Sequence, residues 1–260
     1  MTLKPVFILF CLAGGSAAGH ADPAAAVSPA PPRAAAAKPA VALRPAAEPA
    51  GYVARLLINE TPFPGERGYV SEEDSQATMR ELLLVLHCRS RQIPPGYSRP
   101  EIADTNSTEI LDIITAGRTH RQVDGFFLDA NQQPVMAPRV TERLDNLLRI
   151  AGTGTPGRFA RLLNYAQELA TAYFQGQVPT PPLYDALSFI RPWPVTGRAY
   201  SWMTDQDCYH PGGSFVRIPN DLRGRLGGNR FYTLQQRVAP PRTTAGTALV
   251  TPLPRKPPKP

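Results

Sequence analysis

The chain has 260 residues, with 28 Lys and Arg against 21 Asp and Glu, and a formal net charge of +7. A basic chain suits an anionic partner (a cell-wall polymer, a membrane surface or a nucleic acid), although a compositional bias toward Ala, Pro and Arg accounts for the charge equally well. Ala/Pro-rich ends exclude part of the chain from any core, and residues 51–237 contain no lysine, so every basic residue there is Arg.

The opening MTLKPVFILFCLAGGSAAGHADP has one early cation, Lys4, then an apolar run, then small residues before Asp22. That is the plan of a secretory signal peptide over residues 1–21. The run is too short and too rich in Gly and Ala for a good transmembrane helix. Cys11 lacks the small residues that precede a lipidated cysteine. The expectation is export to the periplasm or beyond, with an uncleaved membrane tether as the alternative. Residues 22–50 are almost all Ala and Pro and read as a disordered spacer. Residues 238–260 are Pro-rich and basic and read as a disordered tail. One folded domain of about 51–237 remains.

Within it, YVARLLINETPFPGERGY (52–69) starts as a helix, with Ala54, Leu57 and Ile58 on one face. It stops around Glu60, because Pro62, Pro64 and Gly65 cannot continue it. Ser71 and Asp74 predict an N-terminal cap for a helix running to about Arg89, with Met79, Leu82, Leu83 and Leu86 inward. A Pro94–Gly96 loop precedes a short helix over about 107–116, with Ile110, Leu111 and Ile114 inward. Residues 121–135 read as turns. Helices follow over about 140–151 and, capped by Thr155 with Pro156 at its first position, through Tyr173 to Gly176. Short aromatic and β-branched stretches (ALSFI, GRAYSWMT, GSFVRIP and NRFYTLQQ) then predict strands. The fold class is α+β: a mostly helical domain with a small C-terminal antiparallel β region.

Glu60 is the candidate for proton chemistry. Cleaving a glycosidic bond near neutral pH needs a carboxyl group whose pKa burial has raised. Glu60 follows an apolar helix and sits at its C-terminal end, where the dipole disfavours a carboxylate. The plainer reading is a solvated charge closing a helix. Glu66 is either a second carboxylate or a loop charge. Asp124, Asp185 and Asp205 are further acids, each also explained as a turn or capping residue.

ARLLINETPFPGE (54–66) resembles the opening of the SleB-like cell wall hydrolase family, a helix "A-R-hydrophobic-hydrophobic-x-x-Glu" followed by a loop. VLHCR (85–89), RQVDGFF (121–127), NYAQELATAYFQG (164–176), DALSFI (185–190) and GNRFYTL (228–234) resemble later elements of that family in the same order. Small residues after the family's Glu are here Thr61-Pro62-Phe63-Pro64, its Asn before Arg is His87-Cys88, and its closing His is Asn229-Arg230. The resemblance implies a lysozyme-like fold and cleavage of the MurNAc–GlcNAc backbone of peptidoglycan, with Glu60 as acid/base in a lytic transglycosylase or muramidase. Such an enzyme needs no cofactor.

The stretch 195–234 is dense in aromatics. Tyr200, Trp202 and Tyr232, with Arg230, are expected to form one wall of a glycan groove, and Gln122 and Phe126 the other. The competing reading is a small β core that uses its aromatics for packing. Cys88 and Cys208 are candidates for a disulfide in an exported protein, or two separate buried thiols. His87, Cys88, His120, Cys208 and His210 lack metal-motif spacing, so no metal is expected. Gly227-Gly228 precedes a strand rather than a helix, so it is no phosphate loop. Nucleic acid is disfavoured as a partner by the export signal and by the lack of a recognisable module. The alternative to an enzyme is a non-catalytic protein holding peptidoglycan strands or a partner in an envelope or secretion assembly.

Overall fold

The computed structural model describes residues 41–117, 123–153, 157–180, 187–204 and 211–237. The expected signal peptide, most of the spacer, the basic tail, Thr155-Pro156 and residues 205–210 lie outside the described residues.

The first helix, α1 (Pro49–Asn59), sets the frame. Pro49 opens it, where a missing N–H costs nothing. Ala50, Gly51, Tyr52, Val53, Ala54, Leu56, Leu57 and Ile58 are all buried, so the helix is enclosed on nearly every side rather than along one face. Each large apolar side chain buried in it contributes roughly 1.5–3 kcal/mol. Its one charged residue, Arg55, bends its guanidinium onto backbone oxygens of Arg44 at 2.6 Å and Gly51 at 2.8 Å. The helix starts two residues inside the segment read as spacer. Val41 and Leu43 also pack on the core, and the Arg44 N–H donates to Gln167 Oε1 at 2.8 Å. The spacer reading fails for 41–50 because Val41, Leu43 and Tyr52 bring apolar surface that the Ala/Pro run before them lacks.

Around α1 pack α2 (Glu72–Arg91), α5 (Pro138–Gly152) and α6 (Gly157–Phe174), with α6 making the most extensive contact, and α4 (Ile110–Thr115) packs on α2. Ser71 caps α2 by accepting from the Asp74 N–H at 3.1 Å, as the sequence predicts, and Glu72, Glu73 and Asp74 face the favourable end of the dipole. α2 runs two residues past Arg89. α4 starts at Ile110 rather than 107, and in it Ile113 rather than Leu111 is fully buried, because Ile110, Ile113 and Ile114 stand at i, i+3 and i+4 on one face while Leu111 is turned away from it. A one-turn helix, α3 (Arg99–Ala103), is closed by a reciprocal Ser98/Glu101 cap inside a stretch read as loop.

Residues 121–135 hold more than turns. β1 (Phe126–Leu128) and β2 (Pro134–Met136) pair antiparallel, Phe127 opposite Val135. Asp129 Oδ1 accepts from the Asn131 and Gln133 N–H groups, each at 2.8 Å, and so forms the connecting turn. Three-residue strands are too short for their alternation to show in a sequence.

The C-terminal region is the expected small antiparallel β structure. β3 (Phe189–Ile190) pairs with β4 (Trp193–Pro194). β8 (Asn229–Leu234) lies between β5 (Ser201–Thr204) and β6 (Phe215–Arg217), and also pairs with β7 (Arg225–Leu226) through a tight turn. Trp202, Leu226 and Phe231 join the main core, while Tyr200 and Leu234 form a smaller cluster with Cys88 and Ile102. The chain is thus a mixed helical and antiparallel β fold, with the sheet against the α2 side.

Gly51 tests whether the 44–48 segment belongs to the domain. A Cβ there would stand 2.0 Å from the Pro45 carbonyl oxygen and 2.8 Å from that of Arg44. Gly51→Ala is expected to cost about 1–3 kcal/mol as overpacking, lowering the thermal midpoint by about 2–4 °C per kcal/mol. An unchanged midpoint would mean the segment does not pack there.

Candidate functional site

α1 ends at Asn59 and Glu60 is its C-cap, its N–H donating to the Leu56 carbonyl at 2.9 Å. The side chain leaves the helix toward a groove of about 390 Å³ lined by Asn59 to Pro62, Arg67 and Arg143 on one side and Thr204 and Gly227 to Asn229 on the other. Trp202 Nε1 donates to Glu60 Oε2 at 3.1 Å, and Asn59 Nδ2 to Oε1 at 3.0 Å. Burial pushes the carboxyl above the usual carboxylate range. Those two hydrogen bonds and the nearby Arg143 charge pull against that shift, and Asp124 adds to it. Both hydrogen bonds are donated to the carboxyl, so a protonated Glu60 keeps its own proton for a group in the groove.

The groove's floor is held by an ion-paired clamp. Arg143 on α5 donates from Nε to Glu66 Oε1 at 2.9 Å and from Nη2 to Glu66 Oε2 at 2.5 Å. The same guanidinium donates to the carbonyls of Ile58 at 2.9 Å and Thr61 at 3.0 Å. It therefore covers carbonyls at the C-terminal end of α1, where a cation is favourable and bare carbonyls are costly. Glu66 Oε2 also accepts from the Phe63 N–H at 2.7 Å, which folds the 61–66 loop back on itself. Glu66 is thereby neither a free loop charge nor an unengaged second carboxylate. Planar, two-pronged geometry of this kind is what Arg supplies and Lys does not.

The opposite wall is the β7–β8 turn. Gly227 and Gly228 have φ of 51° and 70°, the left-handed pair that a two-residue hairpin turn requires. A Cβ on Gly227 would meet Thr78 Oγ1 at 2.5 Å, and one on Gly68 would stand 3.1 Å from the Gly228 Cα. The Gly227 N–H donates to Asp74 Oδ2 at 2.8 Å, pinning the turn to the start of α2. The next residue, Asn229, donates from Nδ2 to the Glu60 carbonyl at 2.6 Å. Its Oδ1 and Thr61 Oγ1 are buried without a hydrogen-bond partner among the described residues. Each such orphan costs about 1–3 kcal/mol, the kind of local sacrifice that accumulates at sites.

Of the residues picked from sequence, Glu60 and Trp202 are brought together. Phe126 is not a cleft residue: it is 1% exposed and packs edge-on against Tyr52 in the core, ring centroids 5.3 Å apart. Tyr200 and Tyr232 are 2% and 3% exposed, and Tyr200 donates its hydroxyl to the Gln92 carbonyl at 2.8 Å. These aromatics follow the packing alternative: Phe231, Tyr232, Thr233 and Leu234 are consecutive on β8 and all buried, so both faces of that central strand are covered and its aromatics are used in packing. Arg230 is half-buried on β8, beside Met203 and Arg225, and does not line the groove. Asp124 is exposed and paired with Arg139 at 2.5 Å. Gln122 and Cys208 lie outside the described residues, as do Asp185, Asp205, His120 and His210. Cys88 is buried, with Sγ 3.4 Å from Gln92 Oε1. Among the described residues no three His, Cys, Asp or Glu side chains converge, and no helix is long and apolar enough to cross a membrane.

Sequence reasoning passed over Arg143 and Arg67, since nothing in TERLDN or GERGY separates them from other surface arginines. Asn229 stood out only as the residue in place of an expected His. No protein-family model matches the chain, and neither curated proteins nor solved structures give a significant match.

Two outcomes follow. Arg143→Met leaves Glu66 unpaired and the α1 carbonyls bare, and is expected to cost about 2–4 kcal/mol in urea unfolding. A loss below about 0.5 kcal/mol, the range of ordinary surface substitutions, would contradict the clamp. For Glu60, burial raises the folded pKa above the unfolded value near 4.5. The folded state therefore gains from a protonated Glu60 at low pH, and loses that advantage as pH rises through the folded value. Glu60→Gln does not titrate, so the midpoint of the variant minus that of the wild type should increase from pH 4 to pH 8. A constant difference would mean that the carboxyl is solvated.

Proposed function

We propose that the protein is an exported enzyme that cleaves the MurNAc–GlcNAc backbone of peptidoglycan, as a lytic transglycosylase or muramidase, with Glu60 as its acid/base. The observation that carries the reading is the Glu60 carboxyl itself: partly buried, held by two donors, its acidity weakened, and opening on a groove. The substrate class rests on the resemblance of 54–66 and the later segments to SleB-like hydrolases. The basic charge of the chain suits an anionic wall polymer.

A single-carboxyl mechanism fits the surroundings. Glu66 is committed to Arg143, which leaves Glu60 without an obvious acidic partner among the groove residues. Protonated Glu60 gives its proton to the glycosidic oxygen as the C1–O bond breaks. The resulting carboxylate then takes the proton of the sugar's own 6-hydroxyl as that oxygen bonds to C1, closing a 1,6-anhydro ring and restoring the acid. Hydrolysis instead places a water where the 6-hydroxyl stood.

One observation favours a second reading. The groove lining is polar, and the aromatics expected to stack on sugar rings are in the core. A protein that holds a glycan strand or an envelope partner without cutting it also fits such a groove.

Digestion of purified peptidoglycan with the full chain and with Glu60→Gln separates the two. Anhydro-ended muropeptides from the wild type, reduced at least about 100-fold in the variant, are the expected result. Reducing ends would point to muramidase action. Soluble products from neither form, with both pelleting with the wall, would replace the enzyme with the binder.

A further inference from the structure

Behind the groove lies a buried cation that the chemistry above does not use. Arg89, on the last turns of α2, is 2% exposed. Its Nε donates to the Tyr200 carbonyl at 2.6 Å, and its Nη1 is buried with no hydrogen-bond partner among the described residues. Burial pushes its pKa down to about 9, so it stays cationic at neutral pH. Its Cζ stands 5.6 Å from the centroid of the Trp202 ring. That ring is 6% exposed and turns its N–H edge to Glu60 Oε2 at 3.1 Å.

We propose that Arg89 is a positioning residue for Glu60, acting through the Trp202 indole. A cation over an indole face draws on the ring's electrons and makes its N–H a stronger donor. The stack also fixes the ring plane, and with it the direction of the N–H. Leaving one guanidinium nitrogen unpartnered in the interior is costly, and a Leu or Met would fill the space without that cost. The charge therefore has a use, and the group in line with it is the Glu60 carboxyl. Trp202 accordingly changes role, from a stacking platform for a sugar to the device that holds the acid. The other charged groups around Glu60 are Arg143 from α5, Asp124 from the segment before β1, and Glu66 and Arg67 from the loop after α1.

The assignment of Glu60 as an acid/base rests on the proposed function, but the coupling can be read without any substrate. The chain has two tryptophans, and Trp193 is on the exposed β3–β4 hairpin, so Trp193→Phe leaves Trp202 as the sole reporter. Its fluorescence should titrate with Glu60, and the titration should vanish in Glu60→Gln. In this background Arg89→Met should raise the midpoint by about one pH unit, while Arg89→Lys, which keeps a cation, should lie nearer the parent. A folded Arg89→Met with an unmoved midpoint overturns the proposal. Should Arg89→Met not fold, Trp202→Phe keeps an aromatic face for Arg89 and removes the N–H. The Glu60 carboxyl carbon, followed by NMR and assigned with Glu60→Gln, should then titrate at a higher pH. An unchanged value there overturns the proposal equally. A shifted midpoint in a protein that releases no muropeptides would uphold the coupling and reject the enzyme; cleavage with an unmoved midpoint would do the reverse.

Discussion

The end of a buried helix is an awkward place in a protein. Its last carbonyls have no partners within the helix, and water cannot reach them freely. Here α1 is surrounded on nearly all sides, so its C-terminus ends inside the structure. Asn229 covers the Glu60 carbonyl, and a second side chain does the rest. Arg143 reaches across from α5, takes the carbonyls of Ile58 and Thr61, and spends its remaining donors on Glu66. The loop after the helix can then fold back tightly, with Pro62 and Pro64 permitting no continuation. Everything at the groove depends on that arrangement, because it decides where Glu60 leaves the helix.

The same clamp gives Glu60 its character. A carboxylate at a helix C-terminus is unfavourable, and burial makes it more so. Arg143 offsets part of this, yet its charge is committed to Glu66, so it does not form the salt bridge that would keep Glu60 ionised. The donors that do reach Glu60 are neutral, an indole N–H and an amide. Neutral donors orient a carboxyl without forcing it to ionise. A group held in place yet reluctant to lose its proton is what general acid chemistry requires.

The site is assembled from parts distant in the chain. Glu60 and its loop come from the first helix, Arg143 from the fifth, and Trp202, Thr204 and Asn229 from the sheet. Glycine makes the closure possible: the Gly227-Gly228 turn needs two positive φ angles and lies so near Thr78 that a Cβ on Gly227 would stand 2.5 Å from its Oγ1, and Asp74 fixes it there. The sheet is thus a lid wall for the helical part, and its aromatics serve packing first. That is why Phe126, Tyr200 and Tyr232, attractive as sugar-stacking residues in the sequence, turn out to be core.

Much of this was legible in the residues alone. Apolar spacing, the Ser71 cap, Gly and Pro punctuation and the aromatic strands determined the element order, the mixed helical and β class, and the place of Glu60 at a helix end, because those signals act over a few residues. Three-residue strands and the one-turn helix at 99–103 were not legible, since such short elements are stabilised by what they pack against. Nor could the chain order say which of many arginines would cover the end of α1, or which aromatics would be left without a free face. Those outcomes were decided by tertiary structure, because burial and ion pairing depend on residues that lie far apart in sequence and meet only when the helices close around α1.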